Sequence, residues 1–444
     1  MNDPLLLSRI QFGFTAGFHF LFPPVSIGLA WLLVIFEWLA WRRGGGHWEA
    51  AARFFAKVLG LTFAMGVATG IVLEFQFGMN WAAYSKFVGD IFGAPLAAEA
   101  VFAFFLESVF LGFYLFGRRR LSQGMIFFSI LMVALGATLS AFWIIAANSW
   151  QQTPAGYEIR GGRAELVDFW AAVFNPSTLY RYAHTIWACL LCGAFFAAGC
   201  AAYILLGPRP AEMAPPALKV SLVFGLCAAV LVIFPSGHEH AVQVARTQPA
   251  KLAAFEGVYE TRRGAPFTVF GVVRSDPPRL AARVDLPVRG LLSRLAFGEW
   301  EAEVKGLDAF APEDRPPLAI TFYAFHGMVA LSGVFLAVLG WALLQLLRGR
   351  LAAARRTLRL ICLTAPLPLA ASELGWIAAE VGRQPWVVYG MLRTRDAVSP
   401  NLTAAEVWIS LTAYAVVYAL LGALYLFTLF HLLGKERGAA GGAA

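Results

Sequence analysis

The chain has 444 residues, 59% of them hydrophobic and 14% charged, which is too apolar for a soluble domain of this length. Its net charge of +8 sits partly in short basic connections such as Gly117-Arg118-Arg119-Arg120, as a membrane surface requires, and implies no nucleic-acid partner. No basic stretch precedes the first apolar run and no small-residue cleavage site comes after it, so no removable signal peptide is expected.

A bilayer core takes about 20 apolar helical residues. Hydropathy predicts nine spans, near 14–37, 54–76, 92–116, 124–147, 183–206, 217–236, 319–347, 358–378 and 406–433. An odd number puts the termini on opposite sides. One set of connections holds Arg42, Arg43, Arg53, Arg118 to Arg120, Arg209, Arg348, Arg350, Arg355, Arg356, Arg359, Lys435 and Arg437, whereas the short members of the other set hold little more than Arg9 and Lys86. The basic set is cytoplasmic by the positive-inside rule. The predicted fold class is therefore an all-α polytopic membrane protein with its N-terminus outside and its C-terminus cytoplasmic. Its parts are a bundle over 1–236 carrying an outer loop at 148–182, a polar outer loop over 237–318, a second bundle segment over 319–437 and a disordered Gly/Ala-rich tail, 438–444. All five cysteines (Cys189, Cys192, Cys200, Cys227, Cys362) lie in apolar spans, and Cys189-x-x-Cys192 reads as small core residues rather than a redox pair.

An ionisable side chain in a bilayer costs roughly 2.5–3.5 kcal/mol on insertion scales. Even so, His19, Glu74, Glu99, Glu107, His184, Glu373 and Glu380 sit in or beside these spans. Given the topology, His19, Glu74, Glu99, His184, Met328 and Glu380 share an outer layer, Ser140 lies at comparable depth, and Glu107 lies deeper. Such a layer suggests metal or haem. Haem iron accepts His, or His with Met; Met328 opposite His184 would give a six-coordinate haem, and His19 would leave a position open for a gas. Taken singly, each residue has a plainer reading: a core methionine, an interfacial histidine, a glutamate paired with arginine. The chain has seven histidines. His47, His238 and His240 are expected in loops and His431 at the cytoplasmic end, leaving His19, His184 and His326. A copper–haem oxygen site needs about six membrane histidines, and a four-His dihaem bundle needs two helical pairs, so neither is supplied. HExxH zinc motifs are absent, and His238-Glu239-His240 has the wrong spacing.

Residues 372–386 read SELGWIAAEVGRQPW. Glu373 and Glu380 share a helix face, Trp376 and Glu380 are i,i+4 neighbours, and Gly382 with Pro385 ends the helix. Arg383 pairs with Glu380 or holds a haem propionate. Together with SRIQFGFTAGFHFLF (8–22), GVATGIVLEFQFGMNW (66–81), GDIFGAPLAAEAVFAFFLES (89–108), LSAFWIIAANSW (139–150), His184-Thr185 and TQPAKLAAFEG (247–257), this chain resembles subunit I of the cytochrome bd family of quinol oxidases, including its cyanide-insensitive relatives.

The resemblance implies a terminal oxidase of the bacterial inner membrane. It would oxidise ubiquinol or menaquinol at the outer side, reduce O2 to water with cytoplasmic protons and generate proton-motive force. Three haems are implied: a low-spin haem b on His184 and Met328, and two high-spin haems served by His19 and Glu380, one a haem b and one a haem d or its b-type substitute. Glu99, Glu107 and Ser140 match a proton route. Glu74, Trp376 and Arg383 match residues lining the haem pair, with Arg9 and His326 as further cofactor-side candidates. Lys251 and Glu256 match the quinol-oxidation loop. The implied partners are a second large membrane subunit and a small single-span one. Two departures stand out. His326 replaces the family's usual arginine two residues before Met328, and the outer loop ends soon after the Lys251/Glu256 segment, as in short-loop members. The competing reading is an ion-coupled transporter without haem, although no inverted repeat of the transporter kind is visible.

Overall fold

The computed structural model of the chain describes residues 3–275 and 278–438; the tail beyond Gly438 lies outside them. Among the described residues nine helical stretches are long and apolar enough to cross a membrane. The first contains two helices, α1 (Pro4–Phe20) and α2 (Pro23–Arg43). Asp3 caps α1 by accepting the Leu5 N–H. Pro23-Pro24 restarts the chain, because proline suits a first helical turn and removes donors from an interior one. Next come α3 (Gly46–Met79) and then α4 (Ala82–Ala98), a π-helical segment (Glu99–Phe104) and α5 (Phe105–Phe116) in one stretch; α6 (Gln123–Gln152) returns.

The loop after α6 forms a hairpin of β1 (Tyr157–Arg160) and β2 (Arg163–Leu166), then the short α7 (Phe169–Val173). α8 (Thr178–Leu205) is the most buried span. It meets α2 at Gly28 and Gly193, where a Cβ on Gly28 would lie 2.6 Å from the Gly193 Cα. Only glycine permits that approach. α9 (Ala214–Leu231) passes through a second π segment (Val232–Ser236) into α10 (Gly237–Thr247), and α11 (Pro249–Glu256) comes next. The predicted loop over 237–318 therefore begins as helix, and His238 and His240 stand on α10. His47 likewise lies in the first turn of α3 rather than in a loop. In the π segment Pro235 has no N–H for the Leu231 carbonyl, and the Ser236 hydroxyl donates to it instead at 2.8 Å.

The rest of the loop carries β3 (Arg262–Arg263), a hairpin of β4 (Thr268–Ser275) and β5 (Pro278–Asp285), α12 (Leu291–Phe297) and β6 (Glu303–Val304). The hairpin docks on α13 (Leu318–Leu347), where the Val273 N–H donates to the Tyr323 hydroxyl at 3.0 Å. α14 (Arg355–Thr364) and α15 (Leu367–Val381) form the eighth span, interrupted at Pro366, and a small pair of strands, β7 (Trp386–Val388) and β8 (Leu392–Arg393), precedes α16 (Ala404–Arg437). The main apolar core runs through α2, α3, α6, α8, α9 and α13. By the parity of the spans, the N-terminus and both long loops share one face (the loop face), and the basic connections share the other (the basic face).

Candidate functional site

α1 delivers His19 one residue before its end. The Thr69 hydroxyl donates to the Met65 carbonyl at 2.8 Å, so its oxygen accepts the His19 Nδ1–H at 2.9 Å. That tautomer leaves the Nε2 lone pair free, as a metal ligand needs. Gly70 faces the ring, and a Cβ there would lie 3.1 Å from His19 Cε1. His184, in the second turn of α8, has its Nδ1 buried without a hydrogen-bond partner among the described residues. Gly237 and the His240 ring, 5.4 Å from it between centroids, flank it. Met328 on α13 faces Gly375, whose missing Cβ would sit 2.9 Å from the sulfur. His19, His184 and Met328 thus each stand against a glycine whose missing side chain makes room for them.

α15 carries Glu373, Trp376 and Glu380 along one face, and Arg383 stands just beyond its end. Glu380 accepts from Asn148 at 3.3 Å and Gln152 at 3.1 Å, pairs with Arg383, and lies 3.6 Å from Arg181. Arg181 bonds Asn148 and stacks over Trp376 at 5.6 Å, and the Trp376 ring meets Phe20 beside His19 at 5.5 Å. Arg383 also donates to Gln151, which reaches Tyr84. Lys251 of α11 donates to Gln152, and Gln248 bonds the Gln152 carbonyl at 2.7 Å. Two buried guanidiniums therefore share one carboxylate, and each retains an Nε without a hydrogen-bond partner among the described residues. Burial, then the neighbouring Arg181, holds the Lys251 ammonium well below its usual range. Burial pushes Glu256 up to about 8, and its Oε2 has no hydrogen-bond partner among the described residues.

Glu99 opens the first π segment and accepts the Ser140 hydroxyl at 2.7 Å. Glu107 is buried where α5 and α6 touch, and a Cβ on Gly136 would lie 3.1 Å from the Glu107 nitrogen. The π segment Glu99–Phe104 lies between the two acids, and its wider turn changes their angular offset from that of a regular helix. Glu74 is exposed on α3 and Arg9 on α1. His326 is tied elsewhere: its Nδ1 lies 3.1 Å from the Phe322 carbonyl and its Nε2 2.9 Å from the Thr268 carbonyl of the loop hairpin. With both ring nitrogens against carbonyls, it is not free to ligate iron.

Sequence reasoning missed Arg181, which in sequence looks like an ordinary loop charge ahead of a span. It also missed Glu37, fully buried on α2, which accepts from Tyr114 at 2.8 Å, from Gln123 at 3.0 Å and from Arg118. The signal was available, since Glu37 is the one acid in the predicted span 14–37 and closes it.

The donor set fits haem better than a bare ion. Among the described residues no three His, Cys, Asp or Glu side chains converge as an ion would need. Single His and Met donors do stand beside glycine-lined space, and the surplus guanidinium charge around Glu380 suits propionates. Residues 7–437 match the family described as "Cytochrome bd terminal oxidase subunit I". "Cytochrome bd ubiquinol oxidase subunit 1" of Bacillus subtilis is 39% identical, covering 97% of this chain and 94% of its own. "Cytochrome bd-II ubiquinol oxidase subunit 1" of Escherichia coli is 35% identical, covering 98% of each. The solved bd oxidase of Geobacillus thermodenitrificans superposes with a TM-score of 0.91 at 30% identity, covering 98% of this chain and 99% of that one.

Proposed function

The chain belongs to the family of subunit I of the cytochrome bd terminal oxidases, and from that premise we propose how its residues serve a quinol oxidase of the bacterial inner membrane. The loop face is the outside and the basic face the cytoplasm, since positive connections stay inside. Quinol binds beside α11. Lys251 holds one quinol oxygen, and Glu256, once deprotonated, takes a quinol proton and releases it outward. His184 and Met328 hold a low-spin haem b close to that loop. His19 and Glu380 serve two high-spin haems, one a haem b and the other a haem d or its b-type substitute. Bound haem supplies electron transfer and oxygen reduction. Glu380 would ligate haem iron, and the Arg383 and Arg181 guanidiniums beside it would hold propionates. Trp376 fixes the Arg181 plane, and Glu74 borders the haem pair.

Protons for water formation enter from the cytoplasmic side. Glu107, buried between α5 and α6, passes them toward Glu99, which Ser140 orients. The chain works with a second large membrane subunit and a small single-span one.

The observation that carries this reading is the Glu380 cluster, in which Gln152 joins Lys251 of the loop to a carboxylate flanked by two buried guanidiniums. The test is quinol-dependent oxygen uptake by the purified complex. Lys251→Met is expected to abolish quinol-driven uptake while uptake driven by an artificial one-electron donor persists. Equal loss with both donors would contradict the assignment of Lys251 to the quinol site.

A further inference from the structure

One face of α1 carries Ser8, Gln11, Thr15 and His19 at helical spacing, and all of these but His19 are fully buried. Opposite them, α3 presents Gln76 and Thr69 on a matching face, and Asn80 caps its end. The contacts run in order. Asn80 and Ser410 both donate to the Gln11 side-chain oxygen, at 3.2 and 3.1 Å. The Thr15 hydroxyl donates to the Gln11 carbonyl at 2.9 Å and accepts from the Gln76 amide at 2.7 Å. One turn further, Thr69 meets His19. At the other end, Asn80 and Ser410 line an open cavity of about 340 Å³ on the loop face, bounded also by Met79, Asn401, Leu402 and, at its mouth, the carboxylate of Glu406.

Three atoms of this seam are buried without a hydrogen-bond partner among the described residues: Ser8 Oγ, Gln11 Nε2 and Gln76 Oε1. One can both donate and accept, one only donates and one only accepts. Buried polar groups in native proteins are matched by protein or by water, so atoms of both polarities along one seam suit water. The seam's side chains between the cavity and His19 are amides and hydroxyls, none of which titrates near neutral pH. Such a lining passes a neutral polar molecule and offers no group to store a proton, and it is a poor lining for apolar oxygen.

The geometry points to a water path from the His19 site to the loop face, by which product water leaves the protein. The inference rests on His19 standing at the oxygen-reducing haem. Water made there moves past Thr69 and Thr15, along the Gln76 and Gln11 amides, and out at the cavity of Asn80 and Ser410. Glu107 and then Glu99 deliver protons that enter from the cytoplasmic side, while water leaves at the loop face.

Hydroxyl-radical footprinting of the purified holo-complex in ¹⁸O-labelled water tests this. Tyr418 is the reporter: it is 1% exposed, and its hydroxyl lies 3.4 Å from the Thr69 carbonyl. Tyr418 is expected to gain oxygen from bound water with rapid isotope exchange. Ser410→Leu at the cavity mouth, and separately Gln76→Leu within the seam, should slow that exchange and lower turnover several-fold with the haem spectrum unchanged. An unlabelled Tyr418 in the native complex, equal labelling in the variants, or slowed exchange at full turnover would each overturn the path. A native complex without a high-spin haem signal would instead overturn the reading of His19, whatever the labelling.

Discussion

Arg181 shows how far a side chain departs from its sequence-level role. An arginine three residues before His184 looks like a surface charge, yet it is buried against Glu380, Asn148 and Trp376. Sequence alone does not tell which of 35 basic residues fold inward. The GRQPW segment was easier, because Glu380 and Arg383 stand one helical turn apart. Arg181→Met removes one of two guanidiniums from that cluster and leaves Glu380 paired with Arg383. High-spin haem content is expected to fall while the low-spin signal persists, as read by pyridine haemochrome and difference spectra; unchanged haem content would contradict the propionate role. Glu256 gives a pH prediction. Burial pushes its carboxyl up to about 8, so at lower pH it holds a proton and cannot accept one from quinol. Quinol kcat/KM should therefore rise with pH and level off above about 8. Glu256→Gln should be slow and lack that limb, whereas a variant that keeps it would assign the limb to another group.

At the scale of elements, the nine apolar stretches were legible because about 20 residues of hydrocarbon-facing helix leave a strong signal. The interruptions were not. The break between α1 and α2 was signalled by Pro23-Pro24, and hydropathy averaging hid it. The two π segments leave no periodicity of their own, yet one contains Glu99 and the other leads to Gly237 beside His184. π segments recur at functional sites, and the extra residue in the turn re-aims the side chains on the helix beyond it. α10 reads as loop in the sequence because Gly-His-Glu-His is polar, but its Gln243, Val244 and Ala245 are buried. The α2–α8 crossing gives a test. Gly28→Ala places a methyl against the Gly193 Cα and the Cys189 carbonyl, and overpacking of this kind costs about 1–3 kcal/mol. A lower thermal midpoint of the purified complex is expected; an unchanged one would show that the helices part without cost.

For the whole molecule, loop and basic faces divide the work. The long loops and the candidate ligands gather toward one face, Glu107 reaches toward the other, and Glu37 with Arg118 ties α2 to the basic end of the stretch after α5. Membership in the oxidase family leaves no place for the transporter reading. Glu107→Gln should slow oxygen turnover at least several-fold with haem content near native, measured on the same preparation; full activity would remove Glu107 from the proton route. Large apolar side chains such as Phe75, Phe102, Phe116, Ile409 and Phe427 are exposed on the bundle, where lipid or a partner subunit covers them. Composition does not distinguish those two neighbours, so the apolar surface by itself names no partner.

The central claim is that His184 and Met328 hold a low-spin haem while His19 and Glu380 serve high-spin ones. The most direct measurement is the reduced-minus-oxidised absorption spectrum of the purified complex, native and Met328→Leu. Both low- and high-spin signals are expected in the native protein, and in the variant conversion of the low-spin haem to high spin with oxygen binding retained. An unchanged low-spin spectrum in Met328→Leu, or no haem signal in the native complex, would contradict it.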